Sequence, residues 1–143
     1  FKEIIGADPR FQVVRTQSGD FTRAKGKEVM EAFLKAEGRD GIDVLFAHND
    51  DMAIGAIQAI EAAGLKPGED IRIVSIDGVR GAFEAMKAGK LNATIECNPL
   101  LGPQLADLVR DVHAGRPVPR RVEVEEGVFT REQAAAELPH RKY

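Results

Sequence analysis

Ile42-Asp43-Val44-Leu45-Phe46-Ala47, then His48-Asn49-Asp50-Asp51, then Ala53, Ala56, Ile57 and Ile60 running to Gly64, is the stretch that decides the fold. Its first six residues are apolar apart from Asp43, the pattern of a strand covered on both faces. From Asp50 the apolar residues recur at helical spacing, and Gly64 supplies the stop that a helix C-terminus favours. A strand that feeds a helix through a short polar turn is half of a βαβ unit.

The unit recurs on both sides. Downstream, Leu65-Lys66-Pro67-Gly68 is a turn, residues 71–76 are a β-branched strand, and residues 81–87 form a helix carrying Ala82, Phe83 and Met86. Residues 91–95 read as a strand and residues 100–113 as a helix. Val122-Glu123-Val124-Glu125 reads as an edge strand with a solvated face, leading into a helix over residues 130–138. Upstream, Phe11-Gln12-Val13-Val14-Arg15 reads as a short strand, and Gly19-Asp20 introduces a helix with Val29, Met30, Phe33 and Leu34 on one face. Phe1-Lys2-Glu3-Ile4-Ile5-Gly6 reads as the last turns of a helix already under way. Strands separated by helix-length crossovers must pair in parallel, so the expected fold is α/β, a doubly wound parallel sheet with helices on both faces.

At 143 residues, 43% hydrophobic and 30% charged, the chain has room for one globular core but not for two lobes of a clamp. No apolar run approaches the ~20 residues of a membrane span. A formal charge of -3 with scattered Lys and Arg gives no basic stripe, which argues against nucleic acid as a partner. His48, His113 and His140 lack i,i+4 pairing, so no metal is expected, and without a Gly-x-Gly-x-x-Gly or lysine-bearing phosphate loop no cofactor is expected. The single cysteine, Cys97, reads as a small buried hydrophobe.

In an open parallel sheet, ligands bind beyond the carboxyl ends of the strands. Ser18-Gly19-Asp20-Phe21, His48-Asn49-Asp50-Asp51, Asp77-Gly78 and Glu96-Cys97-Asn98 are the loops at that edge. If the strands before Asn49 and Asp77 are neighbours, ~4.8 Å apart, both side chains reach one small molecule. Asp accepts, Asn donates and accepts, and a ring such as Phe21 covers an apolar face, a set suited to a sugar. Plainer readings stand beside these: Asp50 as the helix N-cap, Asp51 as a dipole partner, Phe21 as a core aromatic, Asp77-Gly78 as a turn. Ser75, His48 and Asp77 lack the setting of an activated nucleophile, so no catalytic residue and no enzyme is expected.

Ser18-Gly19-Asp20-Phe21-Thr22-Arg23, His48-Asn49-Asp50-Asp51-Met52-Ala53-Ile54-Gly55-Ala56, Ile73-Val74-Ser75-Ile76-Asp77-Gly78 and Gly89-Lys90-Leu91-Asn92-Ala93-Thr94-Ile95 together resemble the C-terminal half of the ribose-binding family of periplasmic sugar-binding proteins. Glu96-Cys97-Asn98-Pro99-Leu100-Leu101-Gly102 and the tail from Glu137 resemble its galactofuranose-binding members. The resemblance implies one lobe of a type I periplasmic binding protein, the substrate-binding component of an ATP-driven (ABC) importer. A monosaccharide (galactofuranose-like, or ribose or galactose) would be held by Phe21, Asn49 and Asp77, with Asn98 as the polar partner where ribose binders carry glutamine. It also implies a periplasmic location, a permease as partner of the intact protein, and an N-terminal lobe not represented here. Residues 1–97 would be the sugar-binding lobe, 98–124 the segment crossing to the other lobe, and 125–143 the return and tail. The apolar side of the crossing helix, Leu101, Leu105, Leu108, Val109 and Val112, would then lie open and drive self-association. Rival readings are the effector-binding core of a sugar-responsive transcriptional repressor of the same fold, and a phospho-accepting receiver domain; the latter lacks its lysine near Glu96.

Overall fold

In a computed structural model that describes all 143 residues, three short strands run side by side in parallel: β1 (Val44–Phe46), β2 (Arg72–Asp77) and β3 (Ala93–Glu96). A fourth, β4 (Val128–Thr130), closes the order β1-β2-β3-β4 and pairs antiparallel with β3. The helices are α1 (Lys2–Gly6), α2 (Arg23–Glu37), α3 (Asp50–Ala62), α4 (Arg80–Lys87), α5 (Gly102–His113) and α6 (Ala134–Glu137), with a 3-10 turn at Leu138–His140. The α/β alternation and the parallel sheet are as the sequence predicts, with one antiparallel edge.

Two expected strands are absent. Residues 121–127 are irregular, and the edge strand forms instead at Val128–Thr130, where register with Ala93–Ile95 supplies backbone partners. Phe11-Gln12-Val13-Val14-Arg15 takes no regular secondary structure and joins no strand, leaving Phe11, Val13 and Val14 about half exposed. Between this segment, α2 and the unpaired edge of β1 lies a cavity of about 530 Å³, lined mostly by apolar residues such as Val29, Phe33 and Leu45. Strand propensity alone cannot make a strand, because the ladder needs a partner backbone at ~4.8 Å.

α2 packs on α3, α3 on α4, and α4 on α6, forming one layer over a sheet face that carries Ile73, Ser75 and Thr94, all fully buried. Met30, Ile57, Ile60, Phe83, Met86 and Leu91 fill the space between. On the opposite face, Phe46, Val74 and Ala93 stand in one row and Ile76, Ile95 and Val128 in another. There Phe1, at the start of α1, stacks on Phe46 with ring centroids 4.2 Å apart, while Val128 remains 63% exposed. Helix α5 buries no residue; Leu105, Val109 and Val112 are each about 60% exposed. No helix is long and apolar enough to cross a membrane.

The contact between α2 and α3 is made backbone to backbone. A Cβ on Gly55 would lie 2.0 Å from the Arg23 carbonyl oxygen, and one on Gly26 would lie 2.5 Å from that of Met52. Two glycines facing each other across the crossing bring the N-termini of both helices together, and with them Phe21 and Asn49. Gly55→Ala therefore forces the helices apart and should destabilise the chain by about 1–3 kcal/mol. A urea midpoint unchanged by the substitution would show that this crossing is not tight.

Candidate functional site

The first turn of α3 organises the carboxyl edge of the sheet. Asn49, not Asp50, is its N-cap: Asn49 Oδ1 accepts the Met52 N–H at 2.9 Å, while Asn49 Nδ2 donates to the Phe21 carbonyl at 3.1 Å. That leaves one amide hydrogen and one lone pair of Asn49 for a ligand. Asp50 is fully buried and points down into the sheet. Its carboxylate accepts the hydroxyls of Ser75 at 2.5 Å and Thr94 at 2.8 Å and the Val79 N–H at 2.8 Å. Burial pushes the Asp50 carboxyl above its ordinary value, against the pull of those three donors.

Phe21 and Asp77 present themselves through unusual backbone. The chain has three non-glycine residues at positive φ: Asp20 (47°), Phe21 (58°) and Asp77 (124°). All three lie at this edge, and such conformations persist only where the surroundings enforce them. The Phe21 ring is 70% exposed, so it is no core aromatic. Asp77 ends β2 beside β1, half-buried, with its carboxyl raised chiefly by burial, opposed by the Asp50 N–H and reinforced by the Asp51 charge. Asp51 is held by Arg23 at 2.7 Å. The structure thus brings Phe21, Asn49 and Asp77 to one rim. The large cavity beside β1 reaches Phe21 but neither Asn49 nor Asp77, and its apolar lining does not suit a polyol.

Asn98 lies just past the point where the Cys97 N–H bonds the Asp77 carbonyl at 3.0 Å. Its Oδ1 accepts the Leu100 N–H at 2.9 Å and its own N–H donates to Glu126 at 3.1 Å, leaving its amide NH2 and one Oδ1 lone pair uncommitted. Cys97 is exposed rather than buried, because β3 ends at Glu96 and the chain leaves the core there.

Glu96 anchors the tail. Its side chain, 13% exposed, accepts from Arg141 Nη1 at 2.8 Å, the Tyr143 hydroxyl at 2.8 Å and the Gly127 N–H at 3.1 Å. The Arg141 guanidinium stands 4.6 Å from the Phe83 ring centre and 4.5 Å from that of Phe129. Burial alone would raise the Glu96 carboxyl, but Tyr143, Gly127 and Arg141 together hold it below its usual range. Burial, aided by the Glu96 charge, pushes the Tyr143 phenol up to about 12, so it stays a donor at every ordinary pH.

Asp50, Ser75 and Thr94 were not legible as a unit. The available signal was a lone Ser75 and Thr94 inside otherwise apolar strands, positions where a buried hydroxyl demands a partner. Ser75 is fully buried, and its hydroxyl is spent on Asp50.

A mostly parallel α/β lobe that gathers a ring, an amide and a carboxylate at its strand ends has the form of the open sheets that bind small molecules at that edge. The chain belongs to the family described as periplasmic binding protein domain, which matches residues 1–117. It is similar to the galactofuranose-binding protein YtfQ of Escherichia coli (strain K12), 56% identical over 105 residues, covering 72% of this chain and 33% of that protein. The binding component of the arabinose ABC transporter from Shewanella sp. ANA-3, solved with α- and β-L-arabinofuranose, superposes with a TM-score of 0.91 at 48% identity, covering 99% of this chain and 47% of that one. A Mycobacterium smegmatis protein solved with β-D-fucofuranose superposes with a TM-score of 0.92 at 53% identity, covering 99% of this chain and 46% of that one. The chain therefore spans a third of the length of the first and about half of the other two.

A carboxyl lowered in the folded state stabilises above its unfolded value, here 4.5, and the contribution is lost as pH falls through the lowered value. Unfolding midpoints measured between about pH 3 and 6 should fall more steeply for the natural chain than for Glu96→Gln. Equal slopes would mean that the tail anchor carries no charge-dependent stability.

Proposed function

We propose that this chain is the sugar-binding lobe of a periplasmic receptor that captures a furanose monosaccharide, galactofuranose or a close relative, and delivers it to the permease of an ABC importer. The observation that carries the reading is the clustering of the three left-handed non-glycine residues, Asp20, Phe21 and Asp77, at the rim that also holds Asn49. Strained backbone concentrated where an open sheet binds ligands marks pre-organisation. The furanose preference rests on relatives named for, or solved with, galactofuranose, arabinofuranose and fucofuranose.

In this reading Phe21 lays its exposed ring on the C–H face of the sugar, Asn49 gives its free N–H and lone pair to hydroxyls, and Asp77 accepts two more. Asn98 contributes its amide NH2 from the crossing segment. The second wall comes from another lobe, and hinge closure over the sugar creates the shape the permease reads. Residues 98–124 are the crossing segment in this scheme, residues 125–143 return to the first lobe, and α5 lays Leu101, Leu105, Leu108, Val109 and Val112 on the other lobe.

In the intact receptor, Asn49→Ala or Asp77→Ala should each weaken sugar binding by about 1–3 kcal/mol, because hydroxyls buried on closure lose their partners. Calorimetry with galactofuranose, ribose and galactose checks this and ranks the sugars; unchanged affinity in both variants would remove the rim from the site. The chain by itself, with α5 uncovered, should elute from gel filtration as larger than a monomer. A compact monomer at every concentration would mean that α5 needs no partner.

A further inference from the structure

Asp50 is a buried carboxylate with no cation against it. Its three donors come from three different places: Ser75 on β2, Thr94 on β3, and Val79 at the start of α4. Thr94 extends the set, since its Oγ1 accepts the Gly78 N–H at 3.3 Å while its hydroxyl donates to Asp50. Both amides that follow Asp77 are thereby tied to one network, directly at Val79 and through Thr94 at Gly78. Asp77 is the residue whose φ of 124° must be enforced from outside, and Asn49 is covalently next to Asp50. Burying an unpaired charge costs stability relative to an apolar filling, so the network is poorly explained by stability alone. A carboxylate accepts all three donors at one point through its two oxygens.

We propose, resting on the sugar-rim reading above, that Asp50 is the positioning residue of the rim: without touching the ligand, it fixes the placement of the Asp77 carboxylate relative to the Asn49 amide by clamping the Asp77-Gly78-Val79 turn to the first turn of α3. Ligand affinity then depends on the clamp beyond its effect on folding. Asp50→Asn keeps a workable pattern, with Oδ1 accepting the Val79 N–H and the NH2 donating to the oxygens of Ser75 and Thr94. Asp50→Ala orphans the Val79 N–H and frees the turn.

The test uses the intact two-lobe receptor, with galactofuranose and L-arabinofuranose as probes. Dissociation constants are measured by calorimetry well below each variant's unfolding midpoint, alongside hydrogen exchange at the Gly78 and Val79 amides. Asp50→Ala should weaken both sugars at least ~10-fold and speed exchange at both amides, while Asp50→Asn returns affinity to within ~3-fold of the natural protein. Where Asp50→Ala does not fold, Thr94→Val replaces it, removing the Gly78 acceptor and one donor at nearly constant size; a loss of ~3-fold or more is expected. A folded Asp50→Ala or Thr94→Val that binds as the natural protein does, while Asn49→Ala and Asp77→Ala weaken binding, overturns the positioning role and leaves the rim standing. Unchanged affinity in all of these variants overturns both. Failure of Asp50→Asn to rescue also overturns the role as stated, since the hydrogen-bond pattern would then not be what matters.

Discussion

One buried carboxylate ties together the elements that meet at the carboxyl edge of the sheet. Asp50 sits at the first residue of α3, where the helix dipole favours a negative charge, and its two oxygens take donors from β2, β3 and the start of α4. Elements from three stretches of chain meet at that point, Thr94 reaching it from 44 residues away. The apolar core beneath could be filled by many combinations of similar volume, but this polar junction admits few substitutes. Its desolvation opposes folding, and its hydrogen bonds offset that cost only when all three donors arrive together.

Around the junction the structure separates support from presentation. Gly26 and Gly55 let α2 and α3 touch, which seats the Phe21 loop against Asn49. Asn49 caps α3 with one face of its amide and retains capacity on the other. On the far side, Glu96 collects Arg141, Tyr143 and Gly127, so the tail fastens the end of β3 where the chain departs through Cys97 and Asn98. The unburied α5 and the half-open second face of the sheet are the parts of the lobe least engaged by its own core.

The βα alternation was legible because hydrophobic period is a local property: Ile73 and Ser75 alternate with Val74, and Ala53, Ala56, Ile57 and Ile60 recur at helical spacing whatever surrounds them. The parallel pairing of β1 with β2 followed from the length of the crossover, and it brings the carboxyl ends that lead to Asn49 and Asp77 to one edge. Phe21, Asn49 and Asp77 could be named because polar and aromatic residues at strand ends face the edge where such sheets bind ligands. Asp50 was misread as a cap because its neighbour Asn49 serves equally well there, and no local rule says which of two adjacent residues turns inward. Cys97 was misread because burial depends on where β3 ends, which its pairing partners fix.

By itself the sequence determined the fold class, the alternation of helices and strands from α2 through α5 and the residues that could form a polar rim, since each rests on spacing along the chain. Tertiary structure alone decided that Phe11-Gln12-Val13-Val14-Arg15 stays unpaired, that the edge strand forms at Val128–Thr130, and that Asp50 faces Ser75 and Thr94. Backbone ladders and buried hydrogen bonds need a second partner brought from far along the chain, and no stretch of residues specifies from within itself what will be placed opposite.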